Sequence, residues 1–196
     1  MTALTRTWRL ALLALLFLPA SFGCRATTAG VIEAVEVRAP TTIYVVRHAE
    51  RRSEEDRDSP LSHAGAVRAR ALVEALGESG VDAIYVTQYQ RTFQTAEPLA
   101  THLGLTIRTD TTTGGTEPAR QLARRVLERH RGETVLIVGH SNTVPAIVHA
   151  LGGPDLPELD SSRYGDLFVV TIPNAGPVRT IRAQFGMPRT APSSSR

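Results

Sequence analysis

Short apolar runs alternate along the chain with stretches whose apolar positions recur at a three-to-four spacing. "TIYVV" (42–46) is β-branched and apolar, which predicts a buried strand. Ser59, Pro60 and Ser62 then open "LSHAGAVRARALVEALG" (61–77). Its apolar residues Ala66, Val67, Ala71, Leu72, Ala75 and Leu76 fall at helical spacing, and Gly77 is a natural stop. "DAIYVT" (82–87) predicts a second strand and "RTFQTAEPLATHLG" (91–104) a second helix, which Pro98 kinks or divides. "LTIRTD" (105–110) predicts a third strand, and "TTTGGTE" (111–117) has the composition of a loop. A helix with Pro118 in its first turn follows at 118–132. "TVLIVGH" (134–140) predicts a fourth strand, and "SNTVPAIVHALGG" (141–153) a fourth helix with Ser141 or Asn142 as its cap. "DLFVVTI" (166–172) and "PVRTIRAQF" (177–185) read as two strands joined by the turn "PNAG".

This alternation predicts an α/β domain over residues 41–185. The expected architecture is three-layer, α/β/α, with a mainly parallel sheet and an antiparallel edge near the C-terminus. Residues 186–196, rich in Pro, Ser and Arg, read as a disordered tail.

The N-terminus has another pattern. Arg6 and Arg9 precede the apolar run Leu10–Leu18, followed by Pro19 and small residues. That order predicts a secretory signal peptide over 1–23. The run is shorter than the ~20 residues that span a bilayer. Cys24 is the chain's single cysteine and cannot form an internal disulfide. Its position after "ASFG" resembles the lipid-attachment site of bacterial lipoproteins, although Ser21 and Phe22 depart from the usual residues there. This implies an exported protein, periplasmic or at the cell surface, held to a membrane by lipid on Cys24. Residues 24–40 then form a tether, in which "VIEAVEV" could make a short edge strand.

Composition adds limits. Hydrophobic residues are 42% and charged residues 21% of the 196, a globular balance. All 22 basic residues are arginine. Removing Arg6 and Arg9 with the signal peptide leaves 20 against 19 acidic residues, or +1, so charge gives no basis for binding nucleic acid.

In open α/β sheets, ligands bind beyond the carboxyl ends of the strands. Arg47 and His48 follow the first strand, and Arg91 stands near a helix start after the second. The loop after the third ends at Glu117, and Gly139, His140 and Ser141 follow the fourth. If those strands are neighbours, two histidines, two arginines and a glutamate converge. Guanidiniums and helix N-termini bind a dianionic phosphoryl group. A neutral imidazole can attack phosphorus, nearby arginines help keep it neutral, and a glutamate can protonate the leaving oxygen. Neither a metal nor an organic cofactor is expected, since fixed cations can stabilise the transition state. "HAE" and "HSN" lack zinc-helix spacing, and His63, His102, His130 and His149 read as surface or packing residues.

"VVRHAE", "PLSHAG", "QRTFQTA" and "VGHSN" resemble, in that order, the landmarks of the histidine phosphatase superfamily, with its phosphoglycerate mutase-like fold. The resemblance implies a phosphohistidine intermediate on His48 and a phosphate pocket of Arg47, Arg91 and His140. It also implies an acid in the loop after the third strand, for which Glu117 is the candidate and Glu97, Glu50 and Asp110 are rivals. Ala49 replaces the family's usual glycine. The segment "RRSEEDRDSP" (51–60) lacks the longer insert and Trp-Asn pair of phosphoglycerate mutases. The layout is closer to the small phosphatases. The segment is either a solvated loop or the rim of the substrate entrance, where Arg51, Arg52 and Arg57 would meet a second anionic group. The expected activity is metal-independent hydrolysis of phosphomonoesters, with a phosphorylated small molecule as substrate. Two alternatives stay open: a catalytically weak lipoprotein that binds a phospho-ligand, and a protein phosphatase acting on phosphorylated side chains.

Overall fold

A computed structural model describes residues 39–111 and 115–186. The segments expected to be a signal peptide and tether, Cys24 included, fall almost wholly outside the described residues, as do Gly114 and the expected tail after Gly186.

The elements follow in the order β1 (Thr41–Arg47), α1 (His63–Leu76), β2 (Val81–Val86), α2 (Gln90–Leu103), β3 (Ile107–Thr109), α3 (Thr116–Arg129), β4 (Thr134–Gly139), α4 (Thr143–Ala150), β5 (Asp166–Ile172) and β6 (Arg179–Gln184). The six strands form one sheet in the order β3-β2-β4-β1-β5-β6. β1 to β4 pair in parallel, whereas β5 runs antiparallel to β1 and β6 antiparallel to β5. The architecture is therefore α/β with a mixed sheet, parallel through its middle and antiparallel at one edge.

The apolar runs are continuous because both faces of the sheet are covered. Val135 and Ile137 of β4, with Ile43 and Val45 of β1, pack beneath α3 and α4. The alternate residues Leu136, Val138 and Val46 pack against α1 and α2 on the other face. Burying each such side chain stabilises the fold by roughly 1.5–3 kcal/mol. His130, buried between Tyr85 (3.0 Å) and Glu133 (2.6 Å), is a packing residue.

Three details differ from expectation. Pro98 does not divide α2, which runs unbroken from Gln90 to Leu103; Ala96, Leu99 and Ala100 around it are buried against the sheet. β3 is shorter than its sequence run, since at the sheet edge it has one partner and three paired positions. α3 begins at Thr116, which puts Glu117 in a helical first turn rather than in a loop. Among the described residues no helix is long and apolar enough to cross a membrane.

Candidate active site

β2, β4 and β1 are adjacent, so their carboxyl ends deliver side chains to one place. β1 stays in register with β4 to the pair Arg47–Gly139, and the His48 amide donates to the Gly139 carbonyl at 2.9 Å. A side chain at Gly139 would put Cβ 2.7 Å from Thr143 Oγ1, so the close approach of β4 to α4 calls for glycine.

Beyond His48 the backbone is held from two sides. The Ala49 amide donates to Thr95 Oγ1 at 2.9 Å, which ties the strand end to α2. The Ser62 amide donates to the Glu50 carbonyl at 2.8 Å, and a Cβ on Gly65 would stand 2.1 Å from that same oxygen. α1 can therefore seat its first turn on this carbonyl only with glycine at 65. Arg68 of α1 then holds the Glu50 carboxylate through Nη2 at 2.7 Å and Nε at 3.0 Å. The nucleophile candidate thus sits on backbone fixed by two helices, which favours a single geometry.

His48 is buried, and its Nδ1 lies 2.7 Å from the Ala49 carbonyl. A carbonyl only accepts, so Nδ1 carries the proton and Nε2 is left with its lone pair. Burial holds the imidazole well below its ordinary pKa, and His140, Arg91 and Arg47 lower it further. It is a neutral base at any physiological pH. His140 lies edge-on to it, with ring centroids 5.2 Å apart. Nδ1 of His140 faces Arg91 Nη2 at 3.5 Å, a donor. Its Nε2 is therefore the protonated nitrogen, donating to Thr87 Oγ1 at 2.9 Å, with Thr92 Oγ1 3.0 Å further on. Burial, then Arg91, Arg47 and Arg51, lower its pKa to about 4.

Arg47 is buried at the end of β1, stacked on Tyr164 with Cζ 4.0 Å from the ring centroid. Its Nη1 donates to the carbonyls of Asp160 and Ser161, each at 3.0 Å. Arg91, in the first turn of α2, stacks on Tyr89 at 4.3 Å and donates from Nη1 to the Arg57 carbonyl at 2.8 Å. Both guanidiniums keep a buried Nε–H without a hydrogen-bond partner. Two buried donors with no acceptor, beside a free imidazole nitrogen, suit a ligand rich in acceptor oxygens.

These four residues line a cleft of about 410 Å³ together with Arg51, Arg57, Tyr89, Ser141, Asn142, Thr143 and Glu158. Glu117 is not among them: it is exposed on α3, with Gln121 Nε2 donating to it at 3.2 Å. The reason is topological, since its loop follows β3, the strand at the far edge from β1. The rivals are also elsewhere. Glu50 is engaged with Arg68, Asp110 accepts from Arg125 at 2.5 Å, and Glu97 is exposed on α2. The cleft's carboxylate, among the described residues, is Glu158, which accepts from Ser141 Oγ at 2.9 Å. Sequence reasoning missed Glu158 and Tyr164, which lie in an irregular segment between α4 and β5. It also passed over Thr87 and Tyr89, although their place directly after β2 was a usable signal. Among the described residues, no cluster of three His, Cys, Asp or Glu side chains could hold a metal ion.

The chain matches the model of the histidine phosphatase superfamily (branch 1) over residues 43–112. No curated protein matches its sequence. Solved structures share the fold. Bacillus stearothermophilus YhfR is 21% identical with a TM-score of 0.58, covering 71% of this chain and 94% of its own. A mycobacterial glucosyl-3-phosphoglycerate phosphatase is 18% identical with a TM-score of 0.59, covering 72% and 97%. The protein histidine phosphatase SixA, complexed with tungstate, is 18% identical with a TM-score of 0.60, covering 73% and 96%.

Proposed function

We propose that this chain is a phosphatase that hydrolyses phosphomonoesters through a phosphohistidine on His48. One observation carries the reading: His48 keeps Nδ1 protonated on the Ala49 carbonyl and Nε2 free, beside His140 and in one cleft with two buried guanidiniums. Nε2 attacks phosphorus, and the bond from phosphorus to the leaving oxygen breaks. That oxygen takes a proton from Glu158, which replaces Glu117 as the proposed acid because it lines the cleft. Glu158, then a carboxylate, takes a proton from water as the water oxygen attacks phosphorus. The N–P bond breaks, releasing inorganic phosphate and neutral His48. Arg47 and Arg91 hold the equatorial oxygens throughout, the charge-stabilising role that lets the reaction proceed without a metal ion.

The test is hydrolysis of phenyl phosphates with graded leaving groups in excess chelator. Turnover is expected to persist. Glu158→Gln is expected to slow a poor leaving group by about 10²-fold while barely slowing 4-nitrophenolate, which leaves without a proton. A uniform loss across the series would remove Glu158 from the acid role. Tight phosphate binding without turnover of any ester would make the chain a phospho-ligand-binding protein instead.

The lipid anchor on Cys24 belongs to the same proposal and rests on the N-terminal pattern. Mass spectrometry of the membrane-fraction protein should give an N-terminal peptide beginning at a diacylglyceryl-modified Cys24. An unmodified N-terminus cleaved elsewhere would refute it.

A further inference from the structure

The phosphoryl group accounts for Arg47, Arg91, His48 and His140. Two further guanidiniums, Arg51 and Arg57, line the same cleft. Of the four arginines that line the cleft, two are left over once Arg47 and Arg91 hold the phosphoryl group, with Glu158 in the lining and Glu54 paired to Arg51. Arg51 lies close enough to depress the pKa values of both His140 and Arg91.

The segment that carries the pair is exposed over most of its length, Arg57 included, but it is tied down at defined points. Its ends close on each other through Arg52 N to the Pro60 carbonyl at 2.8 Å, and Ser59 is fully buried within it. Gln90 of α2 donates to Asp58 from its amide at 2.9 Å and from Nε2 at 3.1 Å. Arg57 gives its carbonyl to Arg91 and its Nε to the Tyr89 hydroxyl at 3.4 Å, so it is tied to the phosphoryl side of the cleft. Arg51 is paired with Glu54, an exposed partner from which an incoming anion can compete it away. Arg52, next in sequence, is exposed and does not line the cleft.

We infer that Arg51 and Arg57 form a second anion subsite, and that the substrate is a phosphomonoester bearing a carboxylate or a second phosphoryl group near the ester. The inference rests on the phosphoryl reading of Arg47 and Arg91 and names the substrate class of that site.

The test uses binding, so that it does not depend on turnover. The dissociation constants of phenylphosphonate, 3-carboxyphenylphosphonate and 1,3-phenylenebisphosphonate are measured by calorimetry at 0.15 M salt. The ligands with a second anion should bind about tenfold tighter, and whichever gains more identifies the second group. Arg51→Gln and Arg57→Gln should each cut that ratio severalfold, and Glu54→Gln should raise it. Arg52→Gln should leave it unchanged; an equal fall there would mean a general field effect and overturn the subsite. Equal affinity of all three ligands would overturn the subsite while leaving the phosphatase reading intact. Failure of every ligand to bind would overturn both.

Discussion

His48→Ala is expected to lower kcat/KM for an aryl phosphate by at least about 10³-fold, with no burst of product and no phosphoprotein. The size follows from the site. His48 is the buried imidazole whose Nε2 is left unprotonated by its own hydrogen bond, and nothing else at the strand end can replace it. His140 sits beside it but holds Nε2 on Thr87, and its Nδ1 faces Arg91. Rapid acid-free quench of wild-type protein with labelled substrate should trap one phosphoryl group, labile to acid and stable to base, as an N–P bond is. His48→Asn is the companion variant, since it is polar and smaller and its folding can be checked by circular dichroism. Labelling that persists in either folded variant would move the nucleophile to another residue.

The strand-end logic explains why so much of this site was legible. "IYVVRH" announced a buried strand that stops being apolar at Arg47, and "VLIVGH" repeated the pattern. Once two such strands lie side by side in parallel, as β1 and β4 do, their following residues must meet. Arg91 was readable for a related reason, because a cation in the first turn of a helix opposes the dipole and needs another purpose.

Glu158, the carboxylate that lines the cleft, was not legible, and the cause is the order of the elements in space. A sequence gives strands in chain order, in which the loop after the third strand looks as near as any other. In the sheet, β3 is at the edge, separated from β1 by β2 and β4, while the irregular segment after α4 brings Glu158 to the cleft and Tyr164 beside His48. That segment has no periodicity, so no pattern could place it. Likewise "RRSEEDRDSP" reads as a charged loop, because its order comes from side-chain caps on Ser59 and Asp58 and from contacts with α2 that no spacing reveals.

Arg91→Gln is expected to lower kcat/KM by about 10²–10³-fold, the usual loss when one donor to a developing charge is removed. Glutamine ends two bonds short of the Nη1 that reaches the Arg57 carbonyl, so that bond goes with the charge, while Gln90 still ties the segment 51–60 to α2 through Asp58. A second effect separates this role from a structural one. Burial first, and Arg91 next, hold the His140 pKa at about 4, below the ordinary 6.5. Between those values the unfolded chain binds a proton that the folded chain refuses, so stability is full above pH 6.5 and falls as the pH drops towards 4. Without Arg91 the folded pKa moves up towards 6.5, the difference in bound protons shrinks, and the acid-induced fall in stability becomes shallower. The variant should therefore lose less stability than wild type between pH 7 and pH 5 in urea unfolding, and His140 should titrate at higher pH by NMR. A rate loss without movement of His140 would mean that Arg91 acts on substrate from farther away than its 3.5 Å approach to that ring implies. A loss under tenfold would leave Arg47 as the principal phosphoryl cation, and the two-arginine pocket would no longer describe the chemistry.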